Sequence, residues 1–187
     1  AMTATMRDLR DAGAGALPPP PVFTALLVVQ AVLAGATVNA LFGLGEEAGW
    51  RGWLHTELEP LGFTRLILVT GVVWGLWHAP LIAMGYNYEH QLHPLAAVGL
   101  FTLFCVAFGA VLTWLRQASA SVIPAAVAHG VFNALTTLPA VFIAPGDSWD
   151  RVLAGPVGLP AALILAVIAA ALWLPGRRRV TGRAFSR

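Results

Sequence analysis

The 187-residue sequence has no lysine, a single cysteine and two tyrosines, and only 11% of its residues are charged. A soluble domain carries about 25% charged and about 45–50% apolar residues. Here 58% are hydrophobic and the mean hydropathy is +0.74. A domain of this size still exposes about 30% of the surface of its unfolded chain, so one small core in water cannot hide that excess. The same figures exclude intrinsic disorder. The sequence is that of a membrane protein. The lone Cys105 excludes an intrachain disulfide. Every basic residue is Arg, and 11 of them against 9 acids leave a net charge of +2, too small and too dispersed for a nucleic-acid surface.

Charge-free windows at 12–45, 66–88, 90–115, 117–146 and 152–176 each hold the roughly 20 residues that a helix needs to cross a bilayer. Trimmed at turn residues, they predict helices near 22–44, 66–86, 94–116, 121–144 and 154–175. Pro94, Pro124 and Pro156 lie near three of the starts, where a missing N–H is harmless. The expected fold is all-α, a polytopic transmembrane bundle of about five helices. Gly43-Leu44-Gly45 either separates the first span from a second helical piece at 46–59 or lies inside one long tilted helix. Residues 1–21, ending in four prolines, read as a flexible lead-in, 22–175 as the membrane-embedded domain and 176–187 as a basic tail.

Arg177, Arg178, Arg179, Arg183 and Arg187 place that tail in the cytoplasm, against anionic lipid. Alternating backwards, the 46–65 connection with Arg51 and Arg65 and the 116–121 turn with Arg116 also face inside, giving eight Arg inside and three outside. The expectation is an integral protein of the cell membrane with a cytoplasmic C-terminus.

Polar residues within these spans are costly in hydrocarbon and normally face a bundle interior or a wet cavity. Three clusters qualify: Glu46-Glu47-Ala48-Gly49-Trp50-Arg51, Trp74-Gly75-Leu76-Trp77-His78, and His129-Gly130-Val131-Phe132-Asn133. Each holds a pair spaced i, i+4, which shares one helix face. Glu47 and Arg51 form such a pair, with the acid on the favoured N-terminal side. Glu46, about 100° around the helix from Glu47, points to other neighbours and stays available for chemistry. At about 1.5 Å per residue from the cytoplasmic helix ends, His78 and Asn133 lie roughly 18 Å deep, His129 roughly 12 Å and Glu46 about 20 Å. The clusters reach one level of the membrane. Trp74 and Trp77 read as walls of a cavity around His78, and the remaining Trp as interfacial anchors. His55, Glu57 and Glu59 read as ordinary cytoplasmic-face residues, and His90 and His93 as outer-loop residues.

In this order the three clusters resemble the intramembrane CAAX-protease and bacteriocin-processing family (CPBP or Abi), whose pattern is E-E-x-x-x-R, aromatic-x-x-x-H, then H-x-x-x-N. The likeness runs from about residue 22 to 144. Trp74 stands where many members carry Phe, and the N-terminal region is short beside relatives with additional helices. The resemblance implies a glutamate-dependent, metal-independent endopeptidase that needs no cofactor and has a polar cavity open to the cytoplasm. Its substrate would be a membrane-associated or lipidated peptide or protein, including prenylated CAAX-like ends. Carried over, Glu46 is the general base, His78 helps to hold the attacking water, His129 and Asn133 face the oxyanion, and Glu47, Arg51 and Trp74 structure the site. Physically, a carboxylate withdrawn from bulk water is a stronger base, an imidazole N–H can orient the water, and amide and imidazole donors suit a developing oxyanion.

Other readings of the same residues remain. A zinc protease would draw about three ligands from Glu46, Glu47, His78 and His129, but adjacent carboxylates point apart and no H-E-x-x-H is present. A non-catalytic immunity-type protein would bind a peptide in the same cavity. A transporter would use the acids and histidines as a proton relay, but it would be expected to show repeats.

Overall fold

The computed structural model describes residues 2–11, 13, 15–143 and 147–180, and among these the secondary structure is entirely helical. Within the segment read as a lead-in, Met2–Asp11 form helix α1, which buries Met6 and packs on the 3₁₀ turn Leu138–Phe142. The tetraproline then opens α2 (Pro20–Ala34), where imino residues give up no hydrogen bond.

From Pro20 the chain stays helical to Leu61, a run of 42 residues. Gly43-Leu44-Gly45 therefore breaks nothing, and the long-helix alternative describes the structure. The run passes through a π turn (Gly35–Asn39), α3 (Ala40–Glu47), a second π turn (Ala48–Trp53), α4 (Leu54–Leu58) and a 3₁₀ turn (Glu59–Leu61). At about 1.5 Å per residue it is roughly twice as long as a 30 Å hydrocarbon core is thick. Gly62, at φ 84°, turns the chain back.

The helix expected over 66–86 is divided. It forms α5 (Phe63–Trp77) and α6 (Ala79–Ala83), with His78 at the junction. Pro80 is the cause, because it lacks an N–H and crowds the carbonyl four residues back. The long α7 (Pro94–Ser119) ends at Ala120, whose φ is 55°. It is followed by α8 (Ile123–Leu135), which stops short of the expected residue 144, and by α9 (Leu159–Val180). The backbone of Arg177, Arg178 and Arg179 continues α9. Arg183 and Arg187 of the expected basic tail lie outside the described residues.

Among the described residues three helical runs are long and apolar enough to cross a membrane: Pro20–Leu61, Pro94–Ser119 and Ile123–Phe142. Two of the five expected spans correspond to shorter apolar helices, Phe63–Trp77 and Leu159–Trp173. The protein is a membrane helical bundle. Its axis is α7, against which α5, α6, α8 and α9 pack, while α2, α3 and the first π turn lie on the far side of α8.

Lipid gives helices no hydrophobic drive to associate, so close backbone approach at small residues takes over. Gly71 and Gly75 of α5 meet α7 in this way: a Cβ on either would sit 2.6 Å from the Cα of Val106 or Thr102 respectively. Gly35 meets α8 likewise, its would-be Cβ 2.5 Å from the Val131 Cα. At one end of the bundle two loops are tied together. Tyr88 donates to the Val157 carbonyl at 2.9 Å, Gln91 to that of Trp149 at 2.8 Å, and Arg151 pairs with Glu89. Burial pushes the Tyr88 phenol above its ordinary range. Of the loop histidines His90 and His93, the latter caps α7, its Nδ1 accepting from the Leu95 N–H at 3.4 Å.

Candidate functional site

Glu46 and Glu47 close α3 just before the second π turn, so they leave the helix in different directions. Glu47 is fully buried. Its Oε1 accepts from Arg51 Nη1 at 2.9 Å and from His129 Nδ1 at 3.0 Å. The second contact joins residues 82 positions apart and fastens α8 to the long helical run. Glu46 is half-buried, and its Oε2 accepts from Trp74 Nε1 at 2.9 Å. Its Oε1 has no hydrogen-bond partner among the described residues. Glu47 Oε2 is likewise without a hydrogen-bond partner among the described residues, but it is buried, whereas Glu46 is only half-buried.

Trp74 is the centre of the arrangement. The Arg51 guanidinium lies over its ring, 4.6 Å from the centroid. The rings of His129 and His78 meet it edge-on, with centroids at 5.3 and 6.1 Å. His78 itself is clasped by Trp77 at 4.8 Å and Phe101 at 4.9 Å. Its position at the α5–α6 junction comes from the helix break, and its Nδ1 contacts the Trp74 carbonyl at 3.0 Å. A carbonyl only accepts, so Nδ1 carries the hydrogen and Nε2 is the free ring atom. In this tautomer Nε2 is a hydrogen-bond acceptor. The same logic applies to His129, whose Nδ1–H faces Glu47 and whose Nε2 is free.

The structure thus brings Glu46, Glu47, Arg51, Trp74, His78 and His129 together. It does not join Asn133 to them by a hydrogen bond. That residue lies one turn beyond His129 on α8, with an exposed side chain whose amide is unengaged among the described residues.

Several contributors were not legible in the sequence. Phe101, Phe104 and Phe108 of α7, with Phe132 of α8, form a stacked apolar wall beneath the histidines. Gly109 makes room for Arg51, since a Cβ there would stand 2.7 Å from Nη2. In sequence it is one more small residue in an apolar helix. His55, read as an ordinary cytoplasmic-face residue, is 4% exposed, whereas Glu57 and Glu59 are exposed. Among the described residues no three His, Cys, Asp or Glu side chains are grouped to hold one metal ion.

The model of a protein family described as "Type II CAAX prenyl endopeptidase Rce1-like" matches residues 22–135, which include all of these side chains. A curated relative, "CAAX prenyl protease 2" of Methanococcus maripaludis, is 30% identical over 92 residues. That alignment covers 47% of this chain and 34% of the relative, so the chain spans about a third of the protein it matches. No solved structure matches.

Proposed function

The chain belongs to the Rce1-like family of type II CAAX prenyl endopeptidases, and on that premise we propose that it is a glutamate-type intramembrane endopeptidase with Glu46 as its general base. The observation that carries this reading is the division between adjacent carboxylates. Glu47 is fully buried and doubly bonded to Arg51 and His129 through Oε1, while Glu46 is half-buried, held by a single indole N–H, with Oε1 unengaged among the described residues.

In the proposed reaction a water lies between Glu46 Oε1 and His78 Nε2, both acceptors. Its two hydrogens are directed to them and a lone pair is left for the scissile carbonyl carbon. Glu46 takes one proton as the C–O bond forms. The tetrahedral oxyanion is met by the Asn133 amide and by His129, whose ring Glu47 holds in place at Nδ1. The C–N bond then breaks as Glu46 returns its proton to the departing amine, and both carboxylates end as they began. No metal or other cofactor takes part.

The substrate is a membrane-associated or lipidated peptide or protein, of which a prenylated CAAX-like end is the first to try. It reaches a polar cavity from the cytoplasmic side, in a cell-membrane protein whose basic C-terminus faces the same way and touches anionic lipid. Nucleic acid has no role.

The test is cleavage of a prenylated CAAX peptide by the purified chain in detergent, with and without chelator. Glu46→Ala, His78→Ala and His129→Ala are expected to lower kcat by about 10²–10⁴-fold each, with folding retained. Chelator is expected to have no effect. Unchanged cleavage by Glu46→Ala, or activity lost to chelator and restored by zinc, overturns the proposal.

A further inference from the structure

By sequence, Arg116 is one of the arginines that set topology. In the structure it is half-buried in the last turn of α7, and its Nε donates to the Arg51 carbonyl at 3.0 Å, across 65 positions of sequence. The acceptor belongs to the second π turn, Ala48–Trp53. There the Gly49 carbonyl accepts from the Leu54 N–H five residues on, and the Gly52 carbonyl accepts from Thr56 Oγ1 at 3.0 Å. Wider turns of this kind are rare and occur frequently at functional sites. Their backbone hydrogen bonds depart from the α pattern, so tertiary contacts determine whether they persist.

The same helix meets Arg51 a second time. Gly109 lies seven residues before Arg116, two turns along one face of α7, and against it rests the Arg51 guanidinium. Helix α7 therefore holds Arg51 at both its backbone and its side chain. Both contacts fall on Arg51, inside the π turn through which Glu46 and Glu47 are joined to α4.

We propose that Arg116 is a positioning residue for the endopeptidase reaction, holding the Arg51 carbonyl and so fixing the π turn that aims Arg51 at Glu47 and sets Glu46 against Trp74. The inference rests on Glu46 being the base. It differs from a purely topological role in a testable way: topology needs only a positive charge, whereas positioning needs the planar guanidinium, which Lys does not reproduce.

The experiment compares wild type, Arg116→Lys and Arg116→Gln in detergent, reading kcat, KM and amide hydrogen exchange over residues 50–56. Arg116→Gln is expected to lower kcat about tenfold with KM changed less than about twofold, and to speed that exchange about tenfold. Arg116→Lys, which keeps the charge and one donor group, falls between. Unaltered exchange in Arg116→Gln, or faster exchange with unaltered kcat, overturns the proposal. Should the wild type cleave no peptide, the endopeptidase reading fails separately, and the exchange measurement alone decides whether Arg116 fixes the turn.

Discussion

Trp74 touches four of the side chains on which the proposed chemistry depends: Glu46 through its N–H, Arg51 through its face, and His78 and His129 at its edges. Its replacement separates these functions. Trp74→Phe keeps an aromatic face for Arg51 and the histidines but removes the donor to Glu46. It is expected to lower kcat about tenfold while KM changes little, as steady-state kinetics on the peptide substrate will report. Gly109 makes the complementary case. Gly109→Ala drives a methyl into Arg51 Nη2 and is expected to cost about 1–3 kcal/mol of stability, read as a fall in thermal midpoint in detergent. The i, i+4 pairs were legible in the sequence because helical periodicity alone puts Glu47 beside Arg51 and Trp74 beside His78. The bond from Trp74 to Glu46 was not, because it joins residues 28 apart whose approach depends on how two helices pack.

At the scale of elements, the site stands where regular helix fails. His78 sits at the break that Pro80 imposes between α5 and α6, and the carboxylates precede a π turn. The proline was visible in the sequence, but a reading by charge-free windows measures hydropathy and passes over it, so 66–86 appeared as one span. The π turns leave no such mark. Tertiary contacts accompany them, Gly35 against α8 and Arg116 against Arg51, and no local pattern encodes these. The α5–α7 contact gives a direct test of small-residue packing. Gly75→Ala places a methyl 2.6 Å from the Thr102 Cα and is expected to destabilise by about 1–3 kcal/mol. Gly99→Ala in α7, with open space around its would-be Cβ, is expected to be neutral or slightly stabilising, since Ala favours helix by about 1 kcal/mol. Thermal unfolding of both variants side by side distinguishes steric close packing from a general effect of removing glycine.

For the whole molecule, composition alone was decisive. So little charge and so much apolar surface leave only a membrane bundle, and the exposed Leu41, Phe42 and Leu95 side chains are what a lipid-facing surface requires. Interior and exterior are both apolar. What differs is polarity gathered at one place, where Glu47, Arg51 and His129 are each almost fully buried, with Arg51 and His129 both bonded to Glu47. An ion pair of this kind is costly to break and does not by itself imply catalysis. The catalytic proposal depends on the carboxylate beside it. The most direct measurement is therefore a comparison of Glu46→Gln with Glu47→Gln, each purified and assayed for peptide cleavage and thermal stability. The account predicts that Glu46→Gln keeps the wild-type thermal midpoint and loses about 10²–10⁴-fold in kcat, whereas Glu47→Gln loses about 3–5 kcal/mol of stability. A Glu46→Gln protein that cleaves at the wild-type rate, or a Glu47→Gln protein that is fully stable and selectively inactive, would contradict it.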